Sequence, residues 1–283
     1  MKVSKHLCLL VVLALNAPLA AQAQSTGNSG LERLSRADQI ANWKAVGRVD
    51  IGTEGFCTGT LIATDLVLTA AHCLFDDAGR PRAVGEIRFR AGLADGISVA
   101  EVRVARAAAH SGYVPGPRSG PKAAQILHDA ALLVLDTPIA AALAAPFSVE
   151  SPRDGQKVSV VSYAQGRAEA LSWQRVCSVL GRHAGLIATD CDVTFGASGA
   201  PVFDRSQGRA RIVSIISGGA RDASGMVAYG AELPGLVADL KAQLRAGRDV
   251  MSAAPKAGAS VRRITVGSGE RAGGARFVRV PGN

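Results

Sequence analysis

Three short segments of this 283-residue chain carry side chains that could make and break an acyl bond. In Leu68-Thr69-Ala70-Ala71-His72-Cys73 an imidazole follows an apolar run and small residues. Imidazole takes up and returns a proton near neutrality, which suits it to act as a general base. In His128-Asp129-Ala130-Ala131-Leu132-Leu133-Val134-Leu135 a carboxylate stands at the mouth of an apolar strand. Burying it there is costly unless a group such as an imidazole pairs with it. In Gly196-Ala197-Ser198-Gly199-Ala200-Pro201 small neighbours leave the Ser198 hydroxyl accessible and the backbone free to turn tightly. The N–H groups of Gly196 and Ser198 can then converge on a developing oxyanion. Each segment alone is an ordinary turn or strand. Together they supply a base (His72), its orienter (Asp129) and a nucleophile (Ser198) beside a dipole trap.

Those groups are far apart in sequence, so a scaffold must bring them together. From Trp43 to about Gly230, short β-type runs alternate with Gly/Pro/Asp turns: Leu61-Ile62, Leu66 to Thr69, Glu86 to Arg90, Val99 to Val104, Ala131 to Leu135, Val158 to Tyr163, Pro201 to Phe203 and Ile212 to Ile216. This spacing predicts an all-β barrel or sandwich. No helical patterns separate the strands, which argues against a doubly wound parallel sheet. One helix is predicted near the end, where Leu236, Val237, Leu240 and Leu244 recur after Pro234 and stop at Gly247. Hydrophobic residues at 48% and charged residues at 19% exclude a disordered chain. With aromatics at only 4%, the interior must be built mainly from Ala, Val, Leu and Ile.

The flanks point to export. Lys2 and Lys5 precede an apolar run from Leu7 to Leu15, and Ala21-Gln22-Ala23 offers a cleavage site before Gln24. Residues 1–23 therefore read as a secretory signal, with an apolar run too short to span a bilayer. Cys8 leaves with it. Cys57, Cys73, Cys177 and Cys191 then reach an oxidising compartment, where two disulfides are expected. The local pairing, Cys57 with Cys73 and Cys177 with Cys191, closes two short loops and is the expected one. Zinc-type spacing is missing, so no metal is expected. Residues 24–42 read as a linker or short pro-segment. Much of the +9 net charge gathers in residues 248–283, where Arg248, Lys256, Arg262, Arg263, Arg271, Arg276 and Arg279 outweigh Asp249 and Glu270. That stretch reads as a flexible basic tail able to contact an anionic surface. With Phe277 its only aromatic, it gives no stacking platform and no specific nucleic-acid partner is expected.

The three motifs resemble those of the chymotrypsin/trypsin-like serine peptidases, especially the exported bacterial branch that includes the glutamyl endopeptidases. Thr69-Ala70-Ala71-His72-Cys73 matches the family's histidine motif in full, and Asp129 with the apolar residues after it matches the aspartate motif. Gly196 to Pro201 matches the serine motif with two departures. The likeness spans about residues 43–247. It implies two antiparallel six-stranded β-barrels meeting at a cleft, with a C-terminal helix. It also implies a monomeric endopeptidase that needs no cofactor and cleaves protein or peptide substrates through an acyl-enzyme. The oxyanion hole would comprise Gly196 and Ser198. Gly-x-Ser-x-Gly is not met because Ala200 replaces the second Gly, and Pro201 removes a Ser-x-x-Lys reading.

Ala197 is the more consequential departure. Trypsin-like zymogens hold an acidic residue there, which pairs with a newly cut N-terminus. Ala197 makes that pairing unavailable, so the oxyanion hole must form without it or be ordered by other contacts. By resemblance, Asp192, six residues before Ser198, would be the acidic base of a pocket for Arg or Lys. Its rival reading is a surface or structural carboxylate. Ser217, Gly218 and Gly219 would wall the pocket and pair with the substrate backbone. The strand before them lacks the His of glutamyl endopeptidases, which disfavours strict Glu preference. A non-catalytic binding module on the same fold, and a narrow esterase-like or regulatory peptidase, are the alternatives.

Overall fold

The computed structural model describes residues 30–116, 123–222 and 225–254. The expected signal (1–23) and the tail beyond residue 254 lie outside the described residues. In chain order the elements are β1 (Leu31–Leu34), α1 (Ala37–Ile40), β2 (Val46–Ile51), β3 (Gly55–Ala63), β4 (Leu66–Thr69), a 3-10 turn (Ala71–Leu74), another (Val84–Glu86), β5 (Ile87–Ala91), β6 (Ala100–Ala109), α2 (Ala123–Ile126), β7 (Ala131–Leu135), β8 (Lys157–Ala164), β9 (Arg167–His183), β10 (Leu186–Thr189), β11 (Pro201–Asp204), β12 (Arg211–Ile215), β13 (Gly218–Asp222), β14 (Gly225–Ala231), α3 (Leu233–Ala246) and β15 (Met251–Ser252).

Two antiparallel sheets make two lobes. In the first, the order is β15-β6-β5-β2-β3-β4-β7, and β6 also pairs with β7. That second pairing closes a six-stranded barrel, leaving β15 as an outer strand on β6. Val49, Leu61, Val67, Leu68, Ile87, Phe89, Leu132 and Leu133 are all buried. Because successive side chains alternate, one of each adjacent pair, Val67/Leu68 and Leu132/Leu133, points into the barrel and the other packs outside it. The second lobe runs β12-β11-β8-β9-β10-β14-β13. It is a curled half-barrel rather than a ring closed by strand pairing. Its open side is drawn in by Ser214 Oγ donating to Ala231 O at 2.9 Å and Ser217 N–H donating to Tyr229 O at 2.9 Å.

One hydrophobic core crosses the seam between the lobes. Trp43 packs on Phe147, Trp173 and Phe203, with ring centroids 6.2, 5.2 and 5.1 Å away. Tyr163 of β8 donates its hydroxyl to Leu93 O of the first lobe at 3.0 Å, and burial pushes that phenol above its ordinary range. Arg48 on β2 reaches Ala168 O at 3.1 Å. The predicted helix is α3, ended by Gly247 in the left-handed region at φ 66°.

Both flanking segments join the folded body. Residues 30–42 do not form a free linker, which leaves the short pro-segment alternative open: β1 pairs antiparallel with β9 from Leu31↔Gln174 to Leu34↔Leu171, and Leu34 and Ile40 are buried. The folded body also continues past residue 247, since Met251 pairs with Ala107 and Ala253 N–H reaches Ala105 O at 2.9 Å. Apolar residues in a polar-looking context hid both strands.

The two disulfides are Cys57–Cys73 and Cys177–Cys191, with Cα separations of 6.4 and 5.2 Å. Cys57–Cys73 ties β3 to the 3-10 turn that carries His72. Replacing both of these cysteines by Ala should lower stability by about 3 kcal/mol, the entropy of closing a loop of that length. Urea denaturation of the double variant checks this.

Candidate active site

His72 sits in the turn after β4, and Asp129 just before β7. Pairing of β4 with β7 from Leu66↔Val134 to Thr69↔Ala131 sets the two segments side by side. Asp129 Oδ1 accepts the His72 backbone N–H at 2.8 Å, and its Oδ2 lies 2.7 Å from His72 Nδ1. An ionised carboxylate there makes Nδ1 the protonated nitrogen and leaves Nε2 as the basic one. Asp129 is only 4% exposed. Burial pushes its carboxyl pKa up, but the imidazole beside it and hydrogen bonds from His72 and Ser217 outweigh that, holding it below the usual carboxylate value. The Ser217 hydroxyl donates to Oδ2. The resemblance places Ser217 in a pocket wall that pairs with the substrate backbone, and its bond to Asp129 is a further role that strand alternation does not announce.

Ser198 enters from the second lobe on a loop whose carbonyl groups are each held. Phe195 O accepts the Gln165 N–H at 2.7 Å, and Ser198 O accepts the Thr58 N–H at 2.8 Å. Gly196 O accepts the Thr58 hydroxyl at 3.0 Å. The same hydroxyl accepts the Tyr163 N–H at 3.0 Å. Gly196 has φ 91° and Gly199 φ 77°, a region glycine enters without strain. Neither has room for a side chain: a Cβ would strike the Phe56 ring at Gly196, and Thr58 O and Thr69 Oγ1 at Gly199. Ala197 is fully buried behind the loop. Hydrogen bonds from Thr58 and Gln165 thus restrain a loop that has no acidic residue for an N-terminal ion pair.

His72, Asp129, Ser198, Ser217, Gly218 and Gly219 line one cleft of about 430 Å³. Asp192 does not line it. Its carboxylate lies 3.8 Å from Arg221, and its backbone N–H donates to Gln174 Oε1 at 2.8 Å. The geometry therefore fits the rival reading of Asp192, a structural carboxylate. The cleft walls instead include Val193, Thr194, Phe195, Met226, Tyr113 and Ile126. Phe195, 77% exposed, is an aromatic at the rim. The ligand atoms of Cys57, His72 and Cys73 lie within 4.8 Å of one another. Because the two sulfurs are bonded to each other, this cluster offers no thiolate to an ion.

The segment carrying Tyr113, Gln125 and Ile126 is anchored at both ends by histidines. His110 stacks on His128 with centroids 5.0 Å apart and an interplanar angle of 4°. His110 Nδ1 accepts the Gly112 N–H at 3.1 Å, and its Nε2 lies 3.6 Å from Asp239. Burial and the neighbouring His128 lower the His110 pKa, against the opposing pull of Asp239.

Two predictions follow from this geometry. Thr58→Val keeps the shape but leaves Gly196 O without its donor and the buried Tyr163 N–H without its acceptor, costing about 1–3 kcal/mol. Turnover of an ester substrate should fall through kcat while KM changes little, and Thr58→Ser should restore most of it. For His110, the unfolded chain binds a proton more readily than the fold does. Its contribution is therefore present above the ordinary His value of 6.5 and lost as pH falls below it. Melting temperature measured from about pH 8 to about pH 5 should drop, and His110→Gln should flatten that drop.

Comparison with known proteins agrees with this architecture. A family model described as a trypsin-like peptidase domain matches residues 57–211. A glutamyl endopeptidase solved in complex with MPD is similar in structure, with TM-score 0.62 and 21% identity over 75% of this chain and 95% of that one. The thermostable serine protease AL20 from an extremophilic microorganism gives TM-score 0.58 and 20% identity over 72% and 99%. The protease Anisep from Arthrobacter nicotinovorans gives 0.54 and 17% over 71% and 93%. No curated protein matches in sequence. The family match spans both the histidine and the serine motifs, and the chain belongs to the trypsin-like peptidase domain family.

Proposed function

We propose that the protein is an exported serine endopeptidase that hydrolyses peptide bonds through an acyl-enzyme. The observation that carries this reading is the buried Asp129–His72 pair facing the cleft that also holds Ser198. His72 Nε2 takes the Ser198 hydroxyl proton as Oγ attacks a peptide carbonyl. Asp129 keeps the proton on Nδ1 and stabilises the imidazolium that forms. The N–H groups of Gly196 and Ser198 receive the negative charge on the carbonyl oxygen. Collapse of the tetrahedral intermediate expels the amine, which leaves with the proton returned by His72. Water, activated by the same imidazole, then attacks the acyl-enzyme and releases the acid. Export rests on the layout of residues 1–23 and on the two disulfides, which persist in oxidising compartments.

The mature protein should be labelled at Ser198 by an organophosphorus fluoride. Ser198→Ala should lose labelling and on the order of 10⁶-fold in kcat. Folded protein that resists labelling and turns over no peptide ester would instead fit a binding module on the same scaffold.

A further inference from the structure

We infer that this site, on the peptidase reading just given, selects a short uncharged side chain at the substrate residue whose carbonyl Ser198 attacks. Val193 and Met226 set that limit. An ideal Cβ placed on Gly219 would lie 3.0 Å from Val193 Cγ2 and 3.2 Å from Met226 Sδ. The two side chains therefore converge just beyond the strand edge at Ser217, Gly218 and Gly219, where a long substrate side chain would have to go. Gly219 shows no positive φ, so crowding there reflects occupied space and not backbone strain.

Val193 has little freedom to withdraw. It is buried among the second lobe's core residues, with Cys191, Ile216 and Ala228 in the same cluster and Met226 packed against it. Cys191 is further fixed by its disulfide. Met226 is only partly buried and its unbranched side chain is more adaptable. The slot is thus rigid on one side and compliant on the other, a shape that accommodates methyl to isopropyl groups more readily than a ring.

Charge excludes the remaining candidates. Among the described residues lining the cleft, His72 and Asp129 are the only titratable groups apart from Tyr113, and both are engaged with each other. Asp192 lies next to Val193 in sequence but is not among the residues lining the cleft. Its charge faces Arg221 at 3.8 Å and acts on Arg167. Among the described lining residues, a guanidinium or ammonium entering the slot would shed water without a free carboxylate to meet it, and a substrate carboxylate would find no cation.

The test is a series of peptide p-nitroanilides with Ala, Val, Phe, Arg or Glu at the cleaved residue, run on the mature protein. The ratio kcat/KM should be at least about 10-fold higher for Ala and Val than for Phe, Arg or Glu. Met226→Ala should raise the Phe-to-Ala ratio about 10-fold, and Val193→Ala is the second variant should the first fail to fold. Asp192→Asn should leave the order unchanged. Preferred cleavage after Arg that disappears in Asp192→Asn overturns the inference, as does a Phe-to-Ala ratio indifferent to both enlarging substitutions. Labelling of Ser198 by the organophosphorus fluoride separates the two levels. A labelled enzyme with the wrong order sinks the selectivity alone, whereas unlabelled folded protein sinks the peptidase reading beneath it.

Discussion

Everything in the cleft depends on one residue of the first lobe gripping a loop of the second. Thr58 lies on β3, yet both its N–H and its hydroxyl bond to the loop that bears Ser198. These are short neutral hydrogen bonds in a fully buried place, where water offers no substitute and losing a partner costs more than the bond is worth when made. The grip fixes the Ser198 backbone relative to the lobe that holds the His72 imidazole. The Gly196 and Ser198 N–H groups belong to the peptide units of Phe195 O and Ala197 O, which are held by the Gln165 N–H at 2.7 Å and the Ala200 N–H at 2.9 Å. A threonine thereby restrains a segment that an ion pair orders in trypsin-like relatives, by the resemblance set out above.

The imidazole–carboxylate pair is the second constraint, and it is electrostatic. A carboxylate 4% exposed would ordinarily be pushed toward its neutral form. Two donors from His72 and one from Ser217 reverse that tendency. Ser217 connects this pair to the strand that walls the cleft, and Ile216 to Gly219 line it together with His72 and Asp129.

Much of this could be read from sequence, and the reason is local. His72, Asp129 and Ser198 lie in segments whose neighbours are unusual in combination, and short loops between cysteines made the disulfide pairing readable. The helix at Leu233–Ala246 carried its own stop in Gly247. What sequence concealed was direction and distance. Asp192 holds the expected position in the count but does not line the cleft; its carboxylate lies near Arg221 and its backbone N–H is held by Gln174. Thr58 stands beside a cysteine in an ordinary strand, and its partners are 138 and 140 residues away. β1 has only four residues, and nothing in Leu-Glu-Arg-Leu announces a partner as distant as β9.

The placement of β1 and β15 carries a consequence for how the molecule is built. β1 precedes the first barrel but adds to the sheet of the second lobe, while β15 follows the second lobe but adds to the barrel of the first. α3 reinforces this exchange, with Gln243 donating to Ala109 O on β6 at 3.0 Å. Each half is therefore finished by a piece from the far side of the other, as a strap is buckled across a seam. The six-stranded barrel can close before β15 arrives, but its outer strand and the loop that brings Ser198 to the cleft both come from later in the polypeptide, so the cleft is the last part to be completed.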